Sequence, residues 1–510
     1  MTEESAPKRA GAVIAGGAGW KLATQLVTIV TRAGVAVLLA RLLTPTDFGV
    51  AALALVFTTL VFVFTDFGSV LVQSREPTEE DRSTTFWISL AAGAVLTVLG
   101  VAMAPLIAAF FNEPEVRPLF TVLSLTFVLT AAATTQSALL HRAMAFRRVE
   151  LAGMVAVLCG ATAGVVVALS GGGAWAIILQ QVANSVAYLL LLWFASPWRP
   201  RLVFSRPSAR RVLGFNSHLI GAQIFSFVNK NIDSLLIGRF LGAAPLGVYT
   251  LSYNLMLYPV QRVADPISQA MFPVLSRMQD DDERMARIWL HVMRLTAAVV
   301  MPLMVGLVVL APQFVGVVLG AKWSEAAPVI QCLAWTGIIY TLNGVTLSVV
   351  LAKGMTRTIF RWTIMSTVLL VGGIVIGLQF GIVGVAAAIS LAAAAVWPVV
   401  VAVTARAVGI PFGRYWRNLT AIVAATAAMA AFALPFRLLL ERLGLPQVAI
   451  LAAVVASAAA LYAGLCLWWD GAIRQDVLAG LAKVRRRRPG AAGPPPGGGQ
   501  EPQAGQVAAG

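Results

Sequence analysis

The stretch LATQLVTIVTRAGVAVLLARLLTPTDFGVAAL, residues 22–53, is written a second time as IGAQIFSFVNKNIDSLLIGRFLGAAPLGVYTL, residues 220–251. Laid over one another without a gap, the two copies put Gln25 on Gln223, Arg32 on Lys230, Arg41 on Arg239, Gly49 on Gly247 and Val50 on Val248. Apolar helices align by chance; scarce polar residues do so much less readily. The register returns after small length changes, with Ala104-Pro105 answering Ala311-Pro312, and Leu140, Arg142 and Met144 answering Leu351, Lys353 and Met355. Two related membrane halves facing each other imply a carrier, in which a site between them opens alternately to either side.

Composition places the repeat in a membrane. Of the 510 residues, 59% are hydrophobic and 12% charged, with a mean hydropathy of +0.82, outside the range of ordinary soluble domains. A bilayer is crossed by roughly 20 apolar residues. Such stretches fall at 20–40, 48–69, 85–110, 118–140, 150–170, 172–195, 213–238, 246–268, 288–318, 325–351, 360–380, 382–404, 417–437 and 447–469. The fold class is therefore an all-α polytopic membrane protein of about 14 transmembrane helices: two lobes of six and two further C-terminal helices. Its expected divisions are a cytoplasmic N-terminus over 1–14, a first lobe over 15–200, a second over 201–410, the last two helices over 411–470 and a disordered basic, Pro/Gly-rich cytoplasmic tail over 471–510.

Charge placement orients the chain. With the N-terminus inside, 27 of the 38 Lys and Arg fall in cytoplasmic loops and tails, six in external loops and five within spans. This is the positive-inside bias. Basic clusters at Arg142, Arg147 and Arg148, at 199–211, and at Arg406, Arg414 and Arg417 all follow even-numbered spans. Both termini are expected in the cytoplasm, and the net charge of +16 reads as topology rather than nucleic-acid binding. Because each lobe holds an even number of spans, both enter the membrane in the same direction and are related by an axis along its normal.

Several chemistries are set aside. Cys159, Cys332 and Cys466 sit in apolar spans at no metal or disulfide spacing. His141, His218 and His291 stand apart from carboxylate or cysteine partners, and Gly16-Gly17-Ala18-Gly19 lacks the preceding strand that a dinucleotide fingerprint needs. No catalytic residue, metal or cofactor is expected.

The chemically loud feature is a polar stripe. Lys21, Gln25 and Arg32 are four and seven residues apart, so at 3.6 residues per turn they stack on one helix face with Thr28 beside them. An Arg at the bilayer centre costs roughly 2.5–3.5 kcal/mol on insertion scales, so that face turns to a protein interior or a watery cavity. The second copy repeats the stripe with Gln223, Ser226, Lys230 and Asp233. A plainer reading stands beside this one. Lys230 with Asp233, and Arg262 with Asp265, are spaced to neutralise each other as structural pairs, and Lys21 lies near enough to a helix end to snorkel. Arg32 has no carboxylate within a turn of it, and Asp66 on the second span is its candidate partner or a proton site.

The residues from Leu39 to Gly49 (LARLLTPTDFG), the run DFGSVLVQ at 66–73, NIDSLLIGRFLG at 231–242 with LGVY at 246–249, and GAKW at 320–323 together resemble the polysaccharide-transport flippases. These are the O-antigen, capsule and exopolysaccharide exporters of the multidrug/oligosaccharidyl-lipid/polysaccharide superfamily, and the likeness runs over roughly residues 15–470. It implies an inner-membrane protein moving an undecaprenyl-pyrophosphate-linked oligosaccharide outward through a cationic central cavity. In related lipid II flippases a groove on the last two helices takes the prenyl tail; here these would be 417–437 and 447–469. The expected partners are that lipid-linked oligosaccharide, membrane lipids, and polysaccharide polymerase and glycosyltransferases.

That substrate agrees with the stripe. A pyrophosphate is a compact anion, for which Arg supplies a forked donor pair and Lys a point charge. Arg32, Lys230, Lys21 and Arg262 are the candidate phosphate ligands; Gln25, Gln223, Asn229 and Ser226 are candidates for the sugar. Asp66, Asp233 and Asp265 are candidates for coupling to H+ or Na+, and the membrane potential is a further energy source. Two other classes are weighed. A multidrug/cation antiporter of the same superfamily needs carboxylates facing its cavity, and a membrane glycan ligase or polymerase needs catalytic carboxylates or a large external loop, where this chain has short ones.

Overall fold

The computed structural model describes residues 24–25, 27–58 and 78–469, with the side chains of 213–226, 259 and 262–265 outside the described set. Every element described is helical. The helices are α1 (27–42), α2 (Pro45–Leu55), α3 (Glu79–Phe111), α4 (Val116–Arg142), α5 (Phe146–Leu169), α6 (Trp175–Ala195) and α7 (Arg206–Phe240). They are followed by α8 (Ala243–Ser276), α9 (Asp282–Phe314), α10 (Ala326–Ala352), α11 (Thr356–Gly377), α12 (Gly381–Ala407), α13 (Phe412–Arg442) and α14 (Gln447–Trp469). Among the described residues, nine helical segments are long and apolar enough to cross a membrane, one of them, Thr356–Ala407, comprising α11 and α12.

Local chemistry sets the starts of α2 and α3. Thr44 and Thr78 each cap their helix: the hydroxyl accepts from the backbone N–H of Asp47 or Asp81 at 3.2 Å, and the Asp carboxylate accepts in return from the Thr backbone N–H at 2.8 or 3.1 Å. Pro45 takes the first helical position, where its missing N–H costs nothing. Gly160 and Gly164 let α5 and α6 close up: a Cβ on Gly160 would stand 2.7 Å from the Gln180 carbonyl oxygen, and one on Gly164 2.9 Å from the Gln180 Cβ.

Packing gathers α3 to α6 into one group and α9 to α12 into another, with α2 and α8 crossing between them and α7 lying against both α3 and α11. The helices α13 and α14 pack on α9. Asn418 donates to the Leu290 carbonyl at 2.7 Å, Arg437 to that of Val309 at 2.6 Å and Tyr462 to that of Ala298 at 2.8 Å. The segment between α6 and α7 is stapled to the start of α3. Trp198 donates to Glu79 at 2.9 Å, Ser205 N–H to Thr84 at 2.9 Å, and Ser208 and Arg211 to Asp81 at 2.6 and 2.7 Å.

One end of the assembly is closed by side chains that join the two groups. After Pro312 the helix α9 runs into a π turn over Val315–Leu319, and Trp323, wholly buried, follows it. The Trp323 indole donates to the Ala40 carbonyl at 2.7 Å and meets the Phe48 ring edge-on at 5.2 Å. Lys322 donates to the Arg41 carbonyl at 2.8 Å, while the Arg41 guanidinium donates to the carbonyls of Val317 and Val318. Arg239, the repeat partner of Arg41, lies with its guanidinium 5.8 Å from the Phe110 ring centre. Each repeat arginine thus reaches the end of a helix, α9 or α3, in the opposite group.

Candidate functional site

Immediately beneath that closed end lies a cavity of about 870 Å³. Its walls come from α1, α2, α4, α5 and α6 on one side and from α7 and α8 on the other, so it sits between the two sequence copies. Arg32 and Lys230 both line it. Among the described residues neither has an ion-pair or hydrogen-bond partner, and the spans supply two repeat-equivalent cations to one space. Both side chains are exposed to this space, so the cavity presents two cations without counter-charge and is electrostatically prepared for an anion.

Asp233 also faces this cavity, yet among the described ion pairs it does not neutralise Lys230. Its carboxylate accepts from the Tyr249 hydroxyl at 2.5 Å and from the Ser234 N–H at 2.7 Å, and Tyr249 stacks on Tyr253 with ring centres 5.8 Å apart. The spacing that suggested an intrahelical pair is used instead to tie α7 to α8.

The remaining candidates divide. Asn229, next to Lys230, turns away from this cavity, donates to the Thr367 hydroxyl at 2.7 Å and lines a second cavity. Gln25 is exposed and does not line the central one. Lys21 and Asp66 lie outside the described residues, as do the side chains of Gln223, Ser226, Arg262 and Asp265.

The structure adds polar groups that the sequence reading passed over. Gln180, Gln181, Asn184, Ser185 and Tyr188 line the cavity from α6, joined by Asn231 of α7 and Asn254 of α8. Positions 180, 184 and 188 recur every four residues and so form one helix face, the same signal that singled out Arg32. Such a wall of amides and a phenol, half-buried and opposite two cations, suits a ligand carrying both hydroxyls and an anionic group. Among the described residues, no cluster of three or more His, Cys, Asp or Glu is placed to hold a metal ion.

Comparison with known proteins agrees in fold and sequence. The chain is 29% identical over 374 residues to the lipopolysaccharide biosynthesis protein WzxC of Escherichia coli K12, a match covering 72% of this chain and 76% of that one. It is 27% identical over 361 residues to the succinoglycan biosynthesis transport protein ExoT of Rhizobium meliloti, covering 70% and 73%. Among solved structures, the lipid II flippase MurJ in an inward closed conformation superposes with a TM-score of 0.72 at 15% identity, covering 90% of this chain and 99% of MurJ, which establishes a shared fold. The sequence pattern of the polysaccharide biosynthesis proteins matches residues 38–328, from within α1 to the start of α10, and the chain belongs to that family.

Proposed function

We propose that this protein is a flippase that carries a lipid-linked oligosaccharide across the cytoplasmic membrane by alternating access. The observation that carries the reading is the meeting of Arg32 and Lys230, equivalent residues of an internal repeat, at one cavity walled by amides. A diphosphate joining a polyprenyl chain to a glycan would sit between the two cations, its sugars against the amides of α6 and α8 and its prenyl chain in the bilayer. The names of WzxC, ExoT and MurJ support this class of substrate.

In this reading the chain crosses the membrane fourteen times as two lobes of six helices and a final pair. Both termini and the basic loops lie in the cytoplasm, so the closed end faces outward and the cavity is loaded from inside. An anion moving outward, down the field of an interior-negative membrane, gains roughly 2.3 kcal/mol per charge per 100 mV, and an empty cationic cavity is drawn back by the same field. Asp233, with Asp66 and Asp265, is a candidate for ion coupling. A cation antiporter fits less well, because Asp233 is the one carboxylate among the described lining residues, facing two cations.

The test is complementation of a flippase-deficient strain, with membrane levels of each variant checked. Arg32→Ala and Lys230→Ala should each impair glycan export without preventing insertion, and Arg32→Lys should do less harm because it keeps the charge while losing the fork. Normal export by a well-expressed double alanine variant would overturn the cationic site.

A further inference from the structure

Lys230 lines two cavities. On its far side from the central one, a space of about 670 Å³ opens among α7, α10, α11 and α12, with α11 packed on α12 and barely touching α10. We infer that this second cavity is a sugar-binding subsite, receiving part of the glycan whose diphosphate is held at Lys230. The inference rests on the flippase reading above and adds to it a place and a set of residues.

The lining chemistry matches a pyranose, which presents hydroxyls around its rim and an apolar C–H face. Trp362 and Tyr340 bring aromatic rings to the cavity. The Asn343 side-chain oxygen is buried with no hydrogen-bond partner among the described residues, an acceptor waiting for a donor. Thr363 and Ser366 donate their hydroxyl protons to the carbonyls of Ile359 and Thr363 at 3.0 Å each, which leaves their oxygen lone pairs free to accept. A hydrocarbon occupant would leave Asn343 unmet and press against the Lys230 ammonium, and a metal cation would meet that same positive charge. Hydroxyl donors satisfy these groups together.

The fold alone does not demand these side chains. In the register that sets Arg142 on Lys353, the first-copy partners of Tyr340 and Asn343 are Leu129 and Ala132, and those of Trp362, Thr363 and Ser366 are Leu151, Ala152 and Val155. At these five positions the same helix pair in the other copy is apolar. Three polar residues and two aromatic ones are confined to the copy that carries the second cavity.

The experiment measures binding by the full-length protein in lipid nanodiscs. One probe is the lipid-linked oligosaccharide extracted from membranes of the native cells; the other is undecaprenyl diphosphate without sugar. Trp362→Leu and Asn343→Ala are the variants, each installing the residue found at the equivalent first-copy position. Each should weaken binding of the glycan-bearing probe by about tenfold and leave the sugar-free probe unchanged, which also reports that the variant is folded. Trp362→Phe, which keeps a ring, should retain most of the affinity. If Trp362→Leu is not recovered folded, Trp362→Phe and Asn343→Ser carry the same comparison, with a smaller expected loss for the first. Unchanged binding of the glycan-bearing probe would overturn the subsite. An equal loss for both probes would assign the cavity to the prenyl chain and overturn it too. Wild-type protein that binds neither probe would instead remove the flippase reading on which the inference rests, a result distinct from a failure confined to the variants.

Discussion

Gly49 and Gly247, repeat partners 198 residues apart in the chain, touch where α2 crosses α8. A Cβ on Gly247 would stand 1.9 Å from the Pro45 carbonyl oxygen and 2.8 Å from the Gly49 nitrogen; one on Gly49 would stand 1.7 Å from the Ala243 carbonyl oxygen. Pro45 and Ala243 are themselves repeat partners, so each glycine meets the other copy's equivalent of its own neighbour. The contact is symmetric in sequence and in space, and only backbone atoms make it. Gly49→Ala or Gly247→Ala should therefore force the two helices apart, at a cost of about 1–3 kcal/mol typical of overpacking. In a cysteine-free background, a thiol placed at Ala51, which lines the cavity and is fully buried, should become reactive toward a reagent added from the closed side. Equal reactivity in parent and variant would show that the crossing does not seal the cavity.

The Trp323 latch gives a second, graded test. Trp323→Phe keeps the ring against Phe48 and loses the hydrogen bond to the Ala40 carbonyl, so it should cost about 1 kcal/mol; Trp323→Ala should cost about 3–5 kcal/mol because it also leaves a cavity. Thermal unfolding of the purified protein in detergent reads both. Equal midpoints for the parent and Trp323→Phe, with Trp323→Ala lowered, would mean that the indole fills space without its hydrogen bond holding the groups together.

Much of this was legible in the sequence for identifiable reasons. Two crowded apolar stretches, 150–195 and 360–404, do separate into helix pairs, broken at Gly171 to Gly173 and at Leu378 to Phe380. Arg32 and Lys230 stood out because a charge in an apolar helix has a high transfer cost and few explanations. The amides of α6 did not, because an amide is far cheaper to bury and Gln180, Gln181 and Asn184 sit in a helix otherwise rich in Leu, Ile and Val. Asn229 was a candidate for the sugar in the same cavity as Lys230, yet neighbours on a helix point about 100° apart, and α7 uses that angle to serve two cavities. Trp323 was visible only as a piece of motif and Arg41 only as a repeat position, since nothing local says that the Trp323 indole will meet the Ala40 carbonyl 283 positions away.

Asp81 predicts a pH dependence. Burial alone raises its carboxyl pKa; hydrogen bonds from Ser208 and Thr78, with the charge of Arg211, outweigh this and hold the group below the ordinary 3.8. A carboxyl depressed in the folded state binds fewer protons there than in the unfolded chain. Its contribution is thus complete above about 3.8 and is lost as pH falls through the lower folded value. A spin label at Leu202, which is 90% exposed on the stapled segment, should be more mobile in Asp81→Asn than in the parent at pH 7. The parent should approach the variant only below pH 3.8. Matching spectra at pH 7 would leave the clasp without energetic weight.

Orientation is tested by labelling. A cysteine at Ser205 lies on the side of the basic loops, and one at Gly172 lies at the closed end. With a membrane-impermeant maleimide applied to intact cells, residue 172 should react and residue 205 should react only after lysis. Reaction at 205 from outside would invert the proposed direction of loading.

The amide wall of α6 makes the last prediction, because it separates recognition of the glycan from recognition of the charge. Asn184→Leu and Gln181→Leu keep side-chain bulk at the cavity wall while deleting hydrogen-bond capacity. A sugar hydroxyl that loses its partner in a closed site is left unpaired at a cost of about 1–3 kcal/mol, so export of the native glycan should fall about tenfold or more. A flippase of this family is challenged with more than one repeat unit by expressing the variants in strains making different glycans. The amide variants should change the ranking among glycans, since the amides meet sugar hydroxyls whose positions differ from one repeat unit to another. Lys230→Ala should lower export of all of them in proportion, since every substrate carries the same diphosphate. Export of all glycans reduced equally by Asn184→Leu would move sugar recognition away from α6, and undiminished export by both leucine variants would remove the amides from the binding site altogether.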